Sequence, residues 1–339
     1  MDAVRERALR DGVVIPAHPL ALTSSRKLDE GRQRALTRYY VDAGAGGVAV
    51  GVHTTQFAIH DPAVGLYRPV LELAVEELPD APELLRVAGV LGPTERAVAE
   101  AAVAAELGYD LALVAGSSWG PDASEDDILA GLAAVGEVLP LFGFYLQPAV
   151  GGRPFGYPFW RRFFELPSVR AVKIAPFDRY GTLDVVRALG DSGRAGEVAL
   201  YTGNDDAIVA DLVTPWPGGL RIVGGLLGQF AVWTAAAVAL HTRVRRLVTA
   251  GEAIPSELLA VGADLTDANA AVFDAANGFA GCIPGIHEVL VREGVLAGRW
   301  CLDPDEELSP GQDAEIDRVW AAYPHLRDPK ALAERLRHL

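Results

Sequence analysis

Eight short, β-branched apolar runs punctuate the first two thirds of the chain and constrain its fold more than any other feature. They are Val13–Ile15, Gly47–Val52, Leu85–Leu91, Leu111–Val114, Leu139–Leu146, Val169–Ile174, Glu197–Tyr201 and Leu220–Val223. Most read as nearly continuous apolar segments rather than strict alternation, as expected of parallel strands covered on both faces. Helical patterns fill the gaps. Asp29–Ala43 has apolar residues at helical spacing and ends at Gly44; Thr94–Leu107 starts on a capping threonine and ends at Gly108. Ser124, followed three residues later by Asp127, caps a helix running to about Val138. Tyr180–Leu189 and Asp205–Leu212 continue the alternation. Eight β-then-α units predict an α/β fold, a (β/α)8 TIM barrel, over residues 1–249. An open doubly wound sheet is the competing architecture, and the missing dinucleotide fingerprint weighs against it.

Strand signals fade after Gln229. Phe230–Val248 is Ala/Val-rich and predicts the barrel's eighth helix. Pro255–Phe279 and Ile286–Glu293 predict further helices, Cys301–Gly311 a Pro/Asp-rich connection, and Asp313–Arg337 one or two amphipathic helices. Residues 250–339 thus form a helical extension packed on the barrel, with no long linker before it.

Charge narrows the function. There are 45 acidic and 30 basic side chains, a formal net charge of −15. Such a chain is repelled by phosphate backbones, which argues against nucleic-acid binding. No apolar run reaches the ~18 residues that span a bilayer, so no membrane partner is expected. The charged N-terminus lacks a signal-peptide core, so the expected location is cytoplasmic. Cys282 and Cys301 lack metal-ligand spacing, and no His-x-His or His-Glu-x-x-His pair occurs, so no metal site and no cofactor are expected. Asp122 and Glu125–Asp127 read as a solvated helix start. The basic residues comprise 27 arginines but only three lysines: Lys27, Lys173 and Lys330. Lys173 alone of these lies within an apolar strand pattern.

Barrel enzymes carry their chemistry at the C-terminal ends of the strands. That rule selects His18, His53-Thr54-Thr55, Ser117-Ser118-Trp119, Tyr145, Gln147, Lys173, Gly203-Asn204-Asp205, and Gly224-Gly225 with the adjoining Val223. An ammonium in an apolar strand loses hydration, which lowers its pKa and frees a nucleophilic amine. Such an amine condenses with a carbonyl to a Schiff base, an electron sink for an adjacent C–C bond. A lysine that reaches for the barrel mouth or pairs with an acid fits the same pattern. Tyr145, one strand away, is a workable proton carrier or an aromatic core residue with a satisfied hydroxyl.

Four ordered segments carry a resemblance: Gly-Gly-Val-Ala-Val-Gly-Val-His-Thr-Thr-Gln-Phe-Ala after strand two, Phe-Tyr-Leu-Gln-Pro on strand five, Val-Lys-Ile-Ala on strand six, and Tyr-Thr-Gly-Asn-Asp-Asp on strand seven. With this order and spacing, residues 12–300 resemble the dihydrodipicolinate synthase/N-acetylneuraminate lyase family of Schiff-base aldolases. The resemblance implies Lys173 as Schiff-base lysine, Tyr145 as proton relay, a pyruvate-like 2-oxo acid as small-molecule partner, and a homo-oligomer, dimer or tetramer. It implies that Thr54 and nearby amides bind the substrate carboxylate, with Thr55 beside them, and that Gly203 and Asn204 approach the keto acid. Gly224 and Gly225 would allow similar close approach after strand eight, with Val223 and Gly224 as candidate substrate-binding residues.

The departures concern substrate. His53 stands where the family usually has a threonine, and would serve as acid/base or as a hydrogen-bonding anchor. Gln56 replaces a glutamate. Ser117-Ser118-Trp119 replaces the adjacent tyrosines of the synthases, which speaks against lysine-pathway synthase activity. Arg153 follows an insertion, Ala149–Gly152, and either reaches a substrate carboxylate or falls short. His18 lines the mouth or is a satisfied buried histidine. Trp119, Phe155 and Trp160 fit an apolar substrate tail or plain packing. The leading expectation is a lyase, aldolase or dehydratase. A non-catalytic 2-oxo acid binder on the same barrel is the alternative, and a phosphate-binding barrel suggested by Gly224-Gly225 is a third.

Overall fold

The structure, a computed structural model, describes residues 1–329. Eight parallel strands form the barrel: β1 (Val14–Pro16), β2 (Gly47–Val50), β3 (Leu85–Val90), β4 (Leu111–Ala115), β5 (Leu141–Leu146), β6 (Val169–Ala175), β7 (Ala199–Thr202) and β8 (Ile222–Leu227). Each pairs with its sequence neighbour from β2 to β8, and β8 pairs with β1. A parallel bridge, Ala17 to Ala49, joins β1 to β2, and the His18 amide donates to Ala49 O at 2.8 Å. The sheet therefore has no free edge. This is the (β/α)8 barrel expected from the eight apolar runs.

Helix α1 (Ala3–Asp11) precedes the barrel. The crossovers are α2 (Glu30–Asp42), α3 (Tyr67–Glu77), α4 (Thr94–Glu106), α5 (Glu125–Gly136), α6 (Tyr157–Phe163), α7 (Arg179–Gly190) and α8 (Ile208–Val213). Helix α9 (Thr234–Ala250) follows β8, and α10 (Ser256–Val272), α11 (Cys282–Arg292) and α12 (Gln312–Ala322) form the extension. Ser124 caps α5 as expected, its Oγ accepting from the Asp127 amide at 3.1 Å. Thr94 does not cap α4. Pro93 holds that position, and the Thr94 hydroxyl accepts from Trp119 Nε1 instead. The expected 313–337 helices reduce to α12 and a turn at Pro324–Leu326, with the remainder outside the described residues.

Strand residues alternate between two cores, the barrel interior and the layer between strands and helices. On β5, Phe142, Phe144 and Leu146 belong to the interior, while Leu141 and Tyr145 join the outer layer. On β6, Ala171 and Ala175 are interior, and Val172 and Ile174 are outer. Lys173 shares the parity of the interior set. Helix α1 closes the N-terminal floor, with Leu9 buried in the interior core and Tyr201 Oη donating to Leu9 O at 2.8 Å. The extension reaches the opposite end, where Asn269 Nδ2 on α10 donates to Asp205 O at 2.7 Å. Among the described residues no helix is long and apolar enough to cross a membrane, and no group of three or more His, Cys, Asp or Glu could hold a metal.

Candidate active site

A cavity of about 60 Å³ opens at the C-terminal end of the barrel. That is several times the ~10–15 Å³ one water requires by the same measure, so it takes a small molecule. Its inner wall includes His53, Thr54, Phe144, Lys173, Gly203 and Asp205. The extension supplies the outer wall through Phe273, Phe279, Cys282 and Ile286.

Lys173 projects into the cavity from β6 and is 8% exposed. Its Nζ lies 4.3 Å from the centroid of the Phe144 ring. Burial pushes its amine down to about 8, against the pull of the Asp205 charge. Gly203 makes room for this side chain: a Cβ there would lie 2.6 Å from Lys173 Cε. Asp205 shares the cavity, and its Oδ1 accepts from the Gln229 amide at 3.1 Å. Burial lifts its carboxyl to about 7, with the Lys173 charge opposing the rise. Burial, reinforced by the Lys173 charge, holds His53 down to about 4, so its imidazole is neutral at pH 7. Burial also raises the Cys282 thiol far above its ordinary range, leaving it uncharged. The cavity thus combines an amine and a carboxyl that both exchange protons near neutral pH with a neutral imidazole.

The expected partnership of Tyr145 with Lys173 is not formed. Phe144 pairs in register with Lys173, and Tyr145 with Ile174. Because side chains alternate along a strand, Phe144 faces the amine and Tyr145 faces the helices. The Tyr145 ring packs 5.1 Å from Trp160, and its Oη accepts from the Phe155 amide at 3.4 Å.

Several other expected residues are committed to bonds or packing within the protein. Thr54 lines it, though its hydroxyl donates to Ala17 O at 2.8 Å. Thr55 is fully buried, donating to His18 O at 2.6 Å and accepting from the Gly51 and Val52 amides. His18 is the satisfied buried histidine of the two readings: Nδ1 lies 2.8 Å from Pro19 O and Nε2 lies 2.9 Å from Thr37 Oγ1. Asn204 is 1% exposed and bonds Thr182, Asp211 and the Phe177 amide. Arg153 does not line the cavity; its Nη1 donates to Ala123 O at 2.7 Å and its guanidinium lies over the Phe155 ring. Val223 and Gly224 stand near the start of β8, not past its end, because the strand continues to Leu227; Gly228 is the residue at the cavity. Phe155 and Trp160 pack with Phe159, and Trp119 bonds Thr94, so all three are packing residues.

Sequence reasoning gave no role to several wall residues, among them Asp205, Phe144 and Cys282. Asp205 was visible in Gly203-Asn204-Asp205 but ranked behind its neighbours. Phe144 sits one residue from Tyr145, and only the register of the folded strands separates them. Cys282 carried no local signal, since α11 brings it from more than 100 residues away in sequence.

No family model matches this sequence, and no curated protein matches it. Solved structures do match. Dihydrodipicolinate synthase from Oceanobacillus iheyensis has a TM-score of 0.75 at 16% identity, covering 95% of this chain and 99% of that one. N-acetylneuraminate lyase from Fusobacterium nucleatum has a TM-score of 0.73 at 17% identity, covering 93% and 99%. A prophage protein of the dihydrodipicolinic acid synthase family from E. coli, in complex with pyruvate, has a TM-score of 0.75 at 16% identity, covering 92% and 97%. The chain shares their fold. Barrel and extension together account for almost the full length of each.

Proposed function

We propose that this chain is a divergent member of the dihydrodipicolinate synthase/N-acetylneuraminate lyase family, a class I lyase that forms a Schiff base with a pyruvate-like 2-oxo acid. The observation that carries the reading is the buried Lys173 amine, held near 8 and facing a small cavity. At neutral pH about a tenth of such an amine is free, far more than of an ordinary lysine at ~10.4. The free amine adds to the keto carbon, and loss of water gives the imine. In the cleavage direction the C3–C4 bond breaks and its electron pair moves into the protonated imine. The C4 hydroxyl gives up its proton to a nearby base as the aldehyde forms and an enamine remains. A proton is then delivered to C3 to regenerate the imine, and water hydrolyses it to release pyruvate and the free amine. In the reverse direction the same steps condense the two halves. Asp205, with a pKa near 7, suits donating and accepting these protons. Neutral His53 accepts a proton or anchors the substrate, and backbone amides around Thr54, rather than its committed hydroxyl, hold the carboxylate. Tyr145 has no part in this scheme. The resemblance implies a dimer or tetramer, which light scattering measures.

Incubation with pyruvate and borohydride, followed by intact and peptide mass analysis, tests the reading. A reduced adduct on the peptide containing Lys173 is expected; no adduct with pyruvate or other 2-oxo acids at pH 7 to 9 overturns it. The outward Tyr145 favours a second reading, a 2-oxo acid binder that does not turn over. That reading predicts the adduct without any aldol cleavage or condensation.

A further inference from the structure

We propose that the part of the substrate beyond the 2-oxo acid is uncharged and apolar, an aryl or bulky alkyl group clamped by Phe177 and Phe279. This rests on the lyase reading and names its substrate class. The two phenylalanines line the cavity from distant parts of the chain, Phe177 after β6 and Phe279 between α10 and α11. Their rings meet edge to face, with centroids 5.6 Å apart.

Both residues hold left-handed backbone, φ 53° at Phe177 and 70° at Phe279. A bulky side chain rarely adopts that conformation, and it persists only where surrounding structure enforces it. Each is enforced here by a buried polar anchor. The Phe177 amide donates to Asn204 Oδ1 at 3.0 Å, and Asn204 is fixed in turn by Thr182 and Asp211. The Phe279 amide donates to Asp274 O at 3.0 Å. The Asp274 carboxylate accepts from the Gly281 amide at 3.0 Å and from Ser309 Oγ at 2.5 Å. Packing alone does not require two such anchors, and glycine would satisfy the backbone at lower cost. Retaining two aromatic rings at these positions points to contact with a ligand.

The rest of the outer wall agrees. Leu146, Val150, Phe273 and Ile286 are apolar, and Gln147 supplies an amide. Among the described residues Lys173 is the one cationic side chain lining the cavity, and it is committed to the keto carbon. Arg153, which would have met a second anion, bonds Ala123 O instead. A tail carboxylate or phosphate would be desolvated without a partner, and a polyol tail would lose hydration against rings and alkyl groups.

Borohydride trapping on the full chain reads this directly. The probes are pyruvate, 4-phenyl-2-oxobutanoate, 2-oxoglutarate and 2-oxo-3-deoxygluconate. The phenyl compound is expected to half-saturate trapping at a concentration at least about tenfold below the dianion and the polyol, the size of discrimination that an apolar pocket gives. Phe177→Gly and Phe279→Gly keep the left-handed backbone accessible, and each is expected to collapse the preference for the phenyl compound over pyruvate by about tenfold. Preference for 2-oxoglutarate or the polyol, or an unchanged preference in both variants, overturns the clamp and leaves the lyase reading intact. Failure of pyruvate itself to form an adduct overturns the lyase reading and the clamp with it.

Discussion

The floor and the mouth of this barrel are built from the same strands and the same inward parity, yet they differ in kind. Moving two residues along β5, β6 and β7 exchanges Phe142, Ala171 and Tyr201 for Phe144, Lys173 and Gly203. At the floor the Phe142 and Tyr201 rings meet at 5.3 Å, and the tyrosine hydroxyl is satisfied by α1. At the mouth a large residue gives way to glycine, and the vacated volume admits a lysine whose amine faces open space. A packed interior contributes stability, whereas an amine left in a cavity forfeits some of it, a trade expected of a reactive site.

Replacing the lysine breaks this contrast most completely. Lys173→Met fills the mouth with an apolar chain, as at the floor. Pyruvate trapping is expected to vanish and turnover to fall at least about 10³-fold. The melting temperature is expected to hold or rise, since a desolvated amine has been removed. A variant that still traps pyruvate would place the nucleophile elsewhere.

A pair of glycine variants separates the two ends. In Gly203→Ala the new methyl collides with Lys173 Cε, and displacing the amine by about 1 Å is expected to slow trapping roughly 10²-fold. In Gly12→Ala the methyl would lie 1.9 Å from Val223 O on a backbone with φ 87°, a cost of at least about 1–3 kcal/mol to the floor. Trapping by the folded fraction of that variant should be unchanged. Comparable trapping by both variants would show that Gly203 is not what positions the amine.

Much of this contrast was legible in the sequence, and what was missed has a physical pattern. The eight strands were readable because buried parallel strands leave continuous apolar runs, and Lys173 stood out because it interrupts one. Ser124 and Asp127 announced their cap through local chemistry. By contrast, continuous apolar runs hide parity, so nothing in Phe-Gly-Phe-Tyr-Leu says whether Phe144 or Tyr145 faces inward. The length of β8 was hidden for a related reason: Gly224 and Gly225 read as a loop, whereas Tyr201 and Phe230 crowd their Cα atoms inside the sheet. The Phe177–Phe279 contact and the place of Cys282 depend on how the extension folds back, which no local pattern encodes.

The pH profile sharpens the mouth's description with a smaller effect. Adduct formation needs the free amine of Lys173, so its rate should level off above about pH 8 and fall about tenfold per unit below it. An unperturbed lysine would keep the rate climbing to about pH 10.4. Turnover should also decline above about 7 if Asp205 must donate a proton, because burial lifts that carboxyl only to about 7. Asp205→Asn should remove that alkaline decline. If the decline persists in the variant, the proton comes from another group.

The smallest expected effect decides between the two faces of β5. A proton relay at Tyr145 predicts that Tyr145→Phe loses roughly 10²–10⁴-fold in turnover. The outward placement predicts otherwise, since among the described residues the hydroxyl's hydrogen bond is a long 3.4 Å one from the Phe155 amide, in the layer beneath α6. Its loss should change turnover by less than about threefold and stability by no more than about 1 kcal/mol. Phe144→Tyr supplies the converse, setting a hydroxyl on the ring that already lies over the Lys173 amine. If β5 carries its proton chemistry on the inner face, Phe144→Tyr shifts the pH profile of trapping while Tyr145→Phe leaves it in place. A large loss in Tyr145→Phe alone would mean that β5 turns its tyrosine inward when substrate binds, and that the mouth is rebuilt during the reaction.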